Sequence, residues 1–223
     1  MRIRIFCSAL LALLMTVAGS MAVHAQAISG QGTWETTLQA RDVGNTGTTN
    51  AFYDTSLNIT WLANAAVKGS VSWSEANNWA NNLTVGNVTG WRLSMADSCI
   101  GWNCTSSEMG HLWYTELGNT AHSLTNTGNF QNMFVQNYWT AGPELGNPDA
   151  GWVFRDYDGL QGIGHAADRQ DAMAVHAGDV GSAVTPVPEP ETYAMLLAGL
   201  GLVGAVARRR RSIDTSGVTP CQL

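Results

Sequence analysis

Two cysteines, Cys99 and Cys104, lie five positions apart in the stretch SCIGWNCTS and are the residues best suited to covalent chemistry. In an oxidising compartment such a pair forms a local disulfide, which contributes about 2 kcal/mol in the chain-entropy model. A metal site is the alternative, but the sequence offers no second ligand pair at a suitable spacing. Trp102 lies between the cysteines, beside Gly101. We predict that its ring forms an exposed platform on which a sugar can stack.

Two acidic residues, Asp156 and Asp158, precede Gly159 in the stretch DYDG. Carboxylates at this spacing can bind calcium, which is the one cofactor that we consider for this chain. The further oxygen ligands and the distant Glu of an EF-hand loop are missing from the sequence, and the same stretch is typical of a hairpin turn. We expect no other cofactor and no metal site built on the cysteines.

Glu108 and His111 form an E-x-x-H pair on a predicted helix. Di-iron bundles use this pair together with a second copy and further carboxylates on facing helices. The sequence has no second copy, and it also lacks the H-E-x-x-H, G-x-S-x-G and phosphate-loop patterns. We therefore predict that His111 lies in solvent or at the edge of the core, and that the chain has no catalytic residues.

An acidic domain is predicted over residues 28–185. It has 14 Asp and Glu residues and 5 Lys and Arg residues, which give a net charge of −9. This charge excludes nucleic acid as a partner, because the phosphates would be repelled. Residues 1–25 begin with basic Arg2 and Arg4, continue with an apolar stretch and end in small residues. They are typical of a secretory signal peptide that signal peptidase removes, and a retained membrane anchor is the alternative.

The hydrophobic pattern of the domain changes between β and α periodicity. Strands are predicted at 32–42, within 51–65, and at 91–94, 137–142, 151–157 and 171–179. Ser72 and Glu75 form a capping box that predicts a helix over 73–83, and Thr105 and Glu108 form a second box before a helix that ends at Gly118. The pattern predicts an α+β domain with two helices and several short, mostly antiparallel strands. Four tryptophans occupy positions typical of a core: Trp61, Trp73, Trp113 and Trp152.

The C-terminal end combines three unlike features in a fixed order. Pro188, Glu189 and Pro190 come first, an uncharged segment covers residues 193–207, and a basic block follows, made of Arg208, Arg209, Arg210 and Arg211. A helix of this length spans about 22 Å, less than the roughly 30 Å of a hydrocarbon core, so the arginines must reach outward to the interface. Basic residues stay in the cytoplasm, and the prolines keep the stretch before the helix extended at the outer boundary of the membrane.

This tail, residues 186–211, resembles the PEP-CTERM sorting signal, and the resemblance implies processing by an exosortase-type membrane protease. The polar residues 212–223 that follow the arginines depart from the pattern. Within the domain, GTWETTLQARD, WSEANNWANNLTVGNVTGWRLS and AMAVHAGDVG resemble the exported domain of many PEP-CTERM proteins, which is related to the C-terminal domain of a bacterial collagen-like adhesin. The resemblance implies a C-type-lectin-like fold, which is similar to that of formylglycine-generating enzymes.

These features predict an exported protein that is held briefly in the inner membrane by its C-terminal helix and then reaches the cell surface or the extracellular matrix. Its expected role is adhesion or association with extracellular polysaccharide, without catalysis. Two alternatives stay open. One is an exported, degenerate enzyme of the formylglycine-generating type, with Cys99 or Cys104 as the nucleophile, and the other is a permanently tail-anchored envelope protein.

Overall fold

The computed structural model describes residues 26–133, 136–184, 197–200 and 203. The predicted signal peptide, residues 212–223 and most of the predicted sorting segment lie outside these residues. The chain divides into a first unit that ends at Ser182 and a second unit that begins at Ala183. In the second unit, residues 197–200 and 203 are helical and their side chains are exposed. Within the described residues, no helix combines the length and the apolar character that crossing a membrane requires.

The described chain is mostly β-structure with short helices. Its strands, in chain order, are β1 Leu38–Asp42, β2 Ala51–Asp54, β3 Ile59–Leu62, β4 Lys68–Val71, β5 Trp91–Leu93, β6 Asn137–Thr140, β7 Ala150–Arg155, β8 Leu160–His165, β9 Gln170–Ala172, β10 Ala174–Ala177 and β11 Ser182–Ala183. Its helices are the single turn α1 Trp34–Thr37, then α2 Trp73–Asn82, then α3 Glu108–Gly110, which continues as a π-helical segment, His111–Glu116. This composition confirms the predicted α+β class.

The strands form two sheets with separate orders. One sheet has the order β11-β1-β2-β3-β10-β5, and the other has the order β4-β9-β6-β7-β8. In the described residues, β6 and β9 run parallel, whereas β1–β2, β2–β3, β3–β10, β5–β10, β4–β9, β6–β7 and β7–β8 are antiparallel. The prediction of mostly antiparallel pairing is therefore confirmed. Met173 separates β9 from β10 and is buried, so the chain passes from one sheet to the other over a single residue.

Helix α2 begins where its sequence predicts. The Ser72 side chain accepts a hydrogen bond from the backbone N–H of Glu75, and the Glu75 carboxylate accepts one from the backbone N–H of Ser72. Two orphan donors of the first turn are thereby satisfied, as a capping box requires. Ala76 and Ala80 then face the core on successive turns, so that the helix packs closely with little side-chain volume.

Two clusters of buried side chains form the core. The first joins β2, β3 and β10 to the π-helical segment and contains Trp61, Trp113 and Phe154. The second lies around α2 and contains Trp91 and Trp139. Three of the four tryptophans predicted to be in the core are buried: Trp61, Trp113 and Trp152. Trp73 is half-buried and packs against the second cluster, so it lies at the edge of the core and not inside it.

Three predicted elements differ from the structure. Residues 34–37 form a helical turn, so the strand predicted over 32–42 begins only at Leu38. The second capping box does not form, because Ser107 caps α3 while the Glu108 carboxylate pairs with Arg92. The strand predicted over 171–179 is two strands in two sheets. A helical turn at α1, absent from the predicted pair of helices, precedes the other two.

Candidate functional site

Cys99 and Cys104 form a disulfide, with their Cα atoms 5.6 Å apart, which confirms the predicted pairing. The closed loop is paired with β8, since Gly101 and Gln161 exchange two backbone hydrogen bonds of 2.8 Å. The bond also removes both thiols, and only a thiolate is the nucleophile in cysteine chemistry. An enzyme that used either cysteine would therefore need the reduced form.

The Gln161 side chain supports the disulfide loop through hydrogen bonds. This side chain is fully buried, and its amide nitrogen donates to the Asp97 carboxylate at 2.7 Å and to the Cys99 carbonyl at 2.8 Å. A buried amide without these acceptors would lose its hydrogen bonds to water without replacement. The loop is thus fixed by a covalent bond, a backbone bridge and a buried side chain, although it lies at the surface.

Trp102 extends from this loop with 42% of its surface exposed, as the sequence predicts for a platform. Its ring packs against the exposed His122, with ring centroids 4.4 Å apart and planes tilted by 50°. The backbone N–H of His122 donates to the Asp158 carbonyl at 2.9 Å, which ties His122 to the turn between β7 and β8. We call Trp102, His122 and residues 156–159 the platform.

The DYDG stretch forms the predicted hairpin turn, between β7 and β8. The Asp158 carboxylate accepts hydrogen bonds from the Arg155 side chain at 2.6 and 3.2 Å and from the Leu160 backbone N–H at 3.1 Å. Gly159 has a φ of +77°, and a Cβ there would lie 2.5 Å from the Trp113 ring. The turn therefore needs glycine both for its backbone conformation and for its close approach to the π-helical segment.

Asp156 has no exposed surface. One of its carboxylate oxygens accepts the Gln136 backbone N–H at 2.7 Å, and the other has no hydrogen-bond partner among the described residues. Burial raises the pKa of Asp156 to about 8, and the hydrogen bond from Gln136 opposes this rise only in part. We therefore expect Asp156 to keep its proton at neutral pH, and its hydrogen bond with Gln136 supports the start of β6.

The structure does not bring the two aspartates together as metal ligands. Asp156 is buried, whereas the Asp158 carboxylate is occupied by Arg155. In the part of the chain that the structure describes, no group of three or more His, Cys, Asp or Glu side chains is arranged to hold a metal ion. Calcium binding stays a prediction, and it would require both carboxylates to leave their present partners.

Glu108 and His111, the E-x-x-H pair, have separate environments. Glu108 forms a bidentate ion pair with Arg92, at 2.7 and 2.8 Å, and also accepts the Met95 backbone N–H. His111 is half-buried at the edge of the core, with its Nε2 atom 3.9 Å from the Glu116 carboxylate. Glu108 therefore ties the start of α3 to β5 and does not act with His111.

The sequence did not point to a buried acidic pair, Glu116 and Asp54. Both side chains are fully buried, and Asp54 accepts hydrogen bonds from the Ser56 and Leu57 backbone N–H groups and from the Trp61 indole. Burial, followed by the nearby Asp54 carboxylate, raises the pKa of Glu116 to about 8. Because 62 positions separate the two residues, no local spacing in the sequence signals the pair.

The C-terminal end matches a known sorting motif. The PEP-CTERM protein-sorting motif covers residues 186–211. The match includes all seven residues that the sequence analysis assigned to sorting, from Pro188 to Arg211, which lie outside the described residues. No curated protein and no solved structure matches the chain at a significant level. The motif supports an exported protein that an exosortase-type system processes after a transient stay in the membrane.

Proposed function

We propose that this chain is a non-enzymatic surface or matrix protein whose exported domain binds extracellular polysaccharide through the platform. The sorting motif supports export and processing by an exosortase-type system. The observation that carries the binding role is the exposed ring of Trp102 on a loop that is closed by a disulfide and paired with β8. A rigid aromatic face binds with a small loss of conformational entropy, because its position is fixed before the ligand arrives.

The composition of the platform suits a carbohydrate. The Trp102 ring supplies an apolar face, and the exposed His122 imidazole supplies a hydrogen-bonding group beside it. Arg155, paired with Asp158, also lies over the Tyr157 ring, 5.2 Å from its centroid. Predominantly apolar contact with a few oriented polar groups is the usual composition of a ligand site.

The binding role is tested with the purified full-length chain in a mild detergent, applied to a glycan array and to immobilised extracellular polysaccharide, with and without calcium. We expect Trp102→Ala to weaken binding about tenfold, because stacking area is lost without a change in the core. Trp79→Ala is the matched control, since Trp79 is a half-buried tryptophan of α2, outside the platform. Equal binding by wild type and Trp102→Ala would overturn the role of the platform.

Processing is tested separately, by mass spectrometry of the C-terminus of the mature protein. We expect a new terminus near Pro190 and the loss of residues 212–223. A second chain, with residues 193–207 replaced by polar residues, should stay unprocessed. A mature protein that still ends at Leu223 would support a permanent tail anchor in place of sorting.

A further inference from the structure

A second aromatic site lies where the loop between β6 and β7 meets the start of α2. It is a cavity of about 340 Å³, lined by Trp73, Trp152 and loop residues from Gly142 to Pro148. Cavities of roughly 300 Å³ and above are typical of small-ligand sites. None of these residues belongs to the platform, so the cavity is a separate candidate.

Both indole rings of the cavity are held in fixed positions. The Trp73 indole N–H donates to the Thr140 carbonyl at 3.0 Å, and the Trp152 indole N–H donates to the Pro143 carbonyl at 2.9 Å. With their polar atoms engaged, both rings present apolar carbon surface to the cavity. Trp152 is 5% exposed and Trp73 is half-buried, and both line the cavity.

Two glycines allow the rings to lie directly on the backbone. A Cβ at Gly142 would come within 2.6 Å of the Trp152 ring, and a Cβ at Gly151 would come within 2.7 Å of the Trp73 ring. Any side chain at either position would therefore displace an indole. The close contact with these glycines fixes the rings before a ligand arrives, which lowers the entropic cost of binding.

The polar groups of the lining restrict the class of ligand. Glu144 is the one charged residue among those that line the cavity, and the exposed Asn147 adds an amide. The domain around them carries a net charge of −9, so an acidic ligand would be repelled. The Glu144 carboxylate and the Asn147 amide can form hydrogen bonds with the hydroxyl groups of a ligand. The volume of the cavity fits one compact ring and is too small for several linked units.

We propose that this Trp73–Trp152 cavity binds one neutral pyranose unit, with a ring face against Trp73 and hydroxyl groups donating to Glu144. The inference rests on the proposed polysaccharide role, and it assigns a sugar class and a second contact point to that role. Binding of a single unit at a cavity of this size should be weak, with a dissociation constant on the order of millimolar.

The test uses the full-length chain labelled with 5-fluorotryptophan, which gives one fluorine NMR signal for each of its nine tryptophans. Single Trp→Phe variants assign the signals of Trp73, Trp152 and Trp102. The ligands are methyl glycosides of glucose, galactose, mannose and N-acetylglucosamine, with glucuronic acid as the acidic comparison and a proline-rich peptide as the extended one. We expect a neutral glycoside to shift the signals of Trp73 and Trp152, and glucuronic acid to leave them unchanged.

Two variants of cavity residues, each with a control variant, test whether the signal shifts reflect binding in the cavity. Trp73→Ala should weaken binding of the neutral glycoside about tenfold, and Trp79→Ala, in the same helix but outside the cavity, should leave it unchanged. Glu144→Ala tests the polar contact without touching the core, because Glu144 is exposed. It should also weaken binding several-fold, and Asp168→Ala, which removes an exposed carboxylate elsewhere, should not.

The outcomes separate this site from the platform. If neutral glycosides shift only the Trp102 signal, the polysaccharide role stands and the cavity assignment is overturned. If no glycoside shifts any signal, or if only the proline-rich peptide shifts Trp73 and Trp152, the sugar assignment is overturned. The polysaccharide role then depends on the array result with Trp102→Ala alone.

Discussion

Raising the pH should destabilise the domain through the buried carboxyl of Asp156. Its pKa is about 8 in the folded chain, against an ordinary value of 3.8, and the first cause is burial. Between these two values the folded chain keeps the proton that the unfolded chain has lost, so stability falls as the pH rises. The contribution is fully present below the ordinary pKa and is lost as the pH passes about 8.

The magnitude follows from the difference between the two pKa values. Each pH unit corresponds to about 1.4 kcal/mol, so a difference of roughly four units would amount to on the order of 5 kcal/mol. Relaxation and water penetration reduce the penalty of a buried charge in real proteins, and we expect a loss of about 2–4 kcal/mol. Glu116, whose pKa is also raised to about 8, should add a loss of the same sign in the same range.

The assay is urea unfolding near pH 5, 7 and 9, followed by the fluorescence of the buried tryptophans. Asp156→Asn keeps an oxygen that can accept the Gln136 N–H and removes the titration, so it should have about half the pH dependence of wild type. Glu116→Gln should remove another part, and the double variant should keep a smaller dependence, to which Asp171 contributes because burial also raises its pKa. A pH profile of Asp156→Asn parallel to that of wild type would show that Asp156 is ionised in the folded chain and would refute this reasoning.

Three further substitutions test contacts of the structure by urea unfolding. Replacing Cys99 and Cys104 together by serine should cost about 2 kcal/mol, because the loop that the disulfide closes is short. Ser72→Ala removes the acceptor of the capping box and should cost about 1 kcal/mol. Gly159→Ala should cost at least about 2 kcal/mol, since a Cβ there meets the Trp113 ring at a residue of positive φ. If any of the three variants unfolds at the same urea concentration as wild type, the corresponding contact does not stabilise the domain as we expect.

Features that depend on neighbouring residues could be predicted from the sequence. The capping box at Ser72 works within one helical turn, and the disulfide closes over five positions. The turn at 156–159 depends on a glycine at positive φ, which the D-G pair signals directly. The position of Trp102 between the cysteines and beside Gly101 predicts an exposed ring, and the structure agrees.

Features that depend on distant residues could not be predicted in this way. The Thr105 box has the same pattern as the Ser72 box, but Arg92 takes the Glu108 carboxylate from another part of the chain. The apolar run through Met173 gives no local sign that the chain changes sheets there. Glu116 looks like an ordinary helical acid, and only the tertiary fold places it in the core beside Asp54.

The rigidity of the platform depends on export through the disulfide. The loop that presents Trp102 lies at the surface, and hydrogen bonds to Gln161 support it from one side. The bond between Cys99 and Cys104 restrains the unfolded chain as well, and it persists only in an oxidising compartment. A chain kept in the reducing cytoplasm would lose this restraint at the residue that we propose contacts polysaccharide. The sorting motif at 186–211 thus supports delivery to the environment in which the platform is most rigid, and a rigid aromatic face is what would make weak stacking contacts useful for the adhesion that we propose.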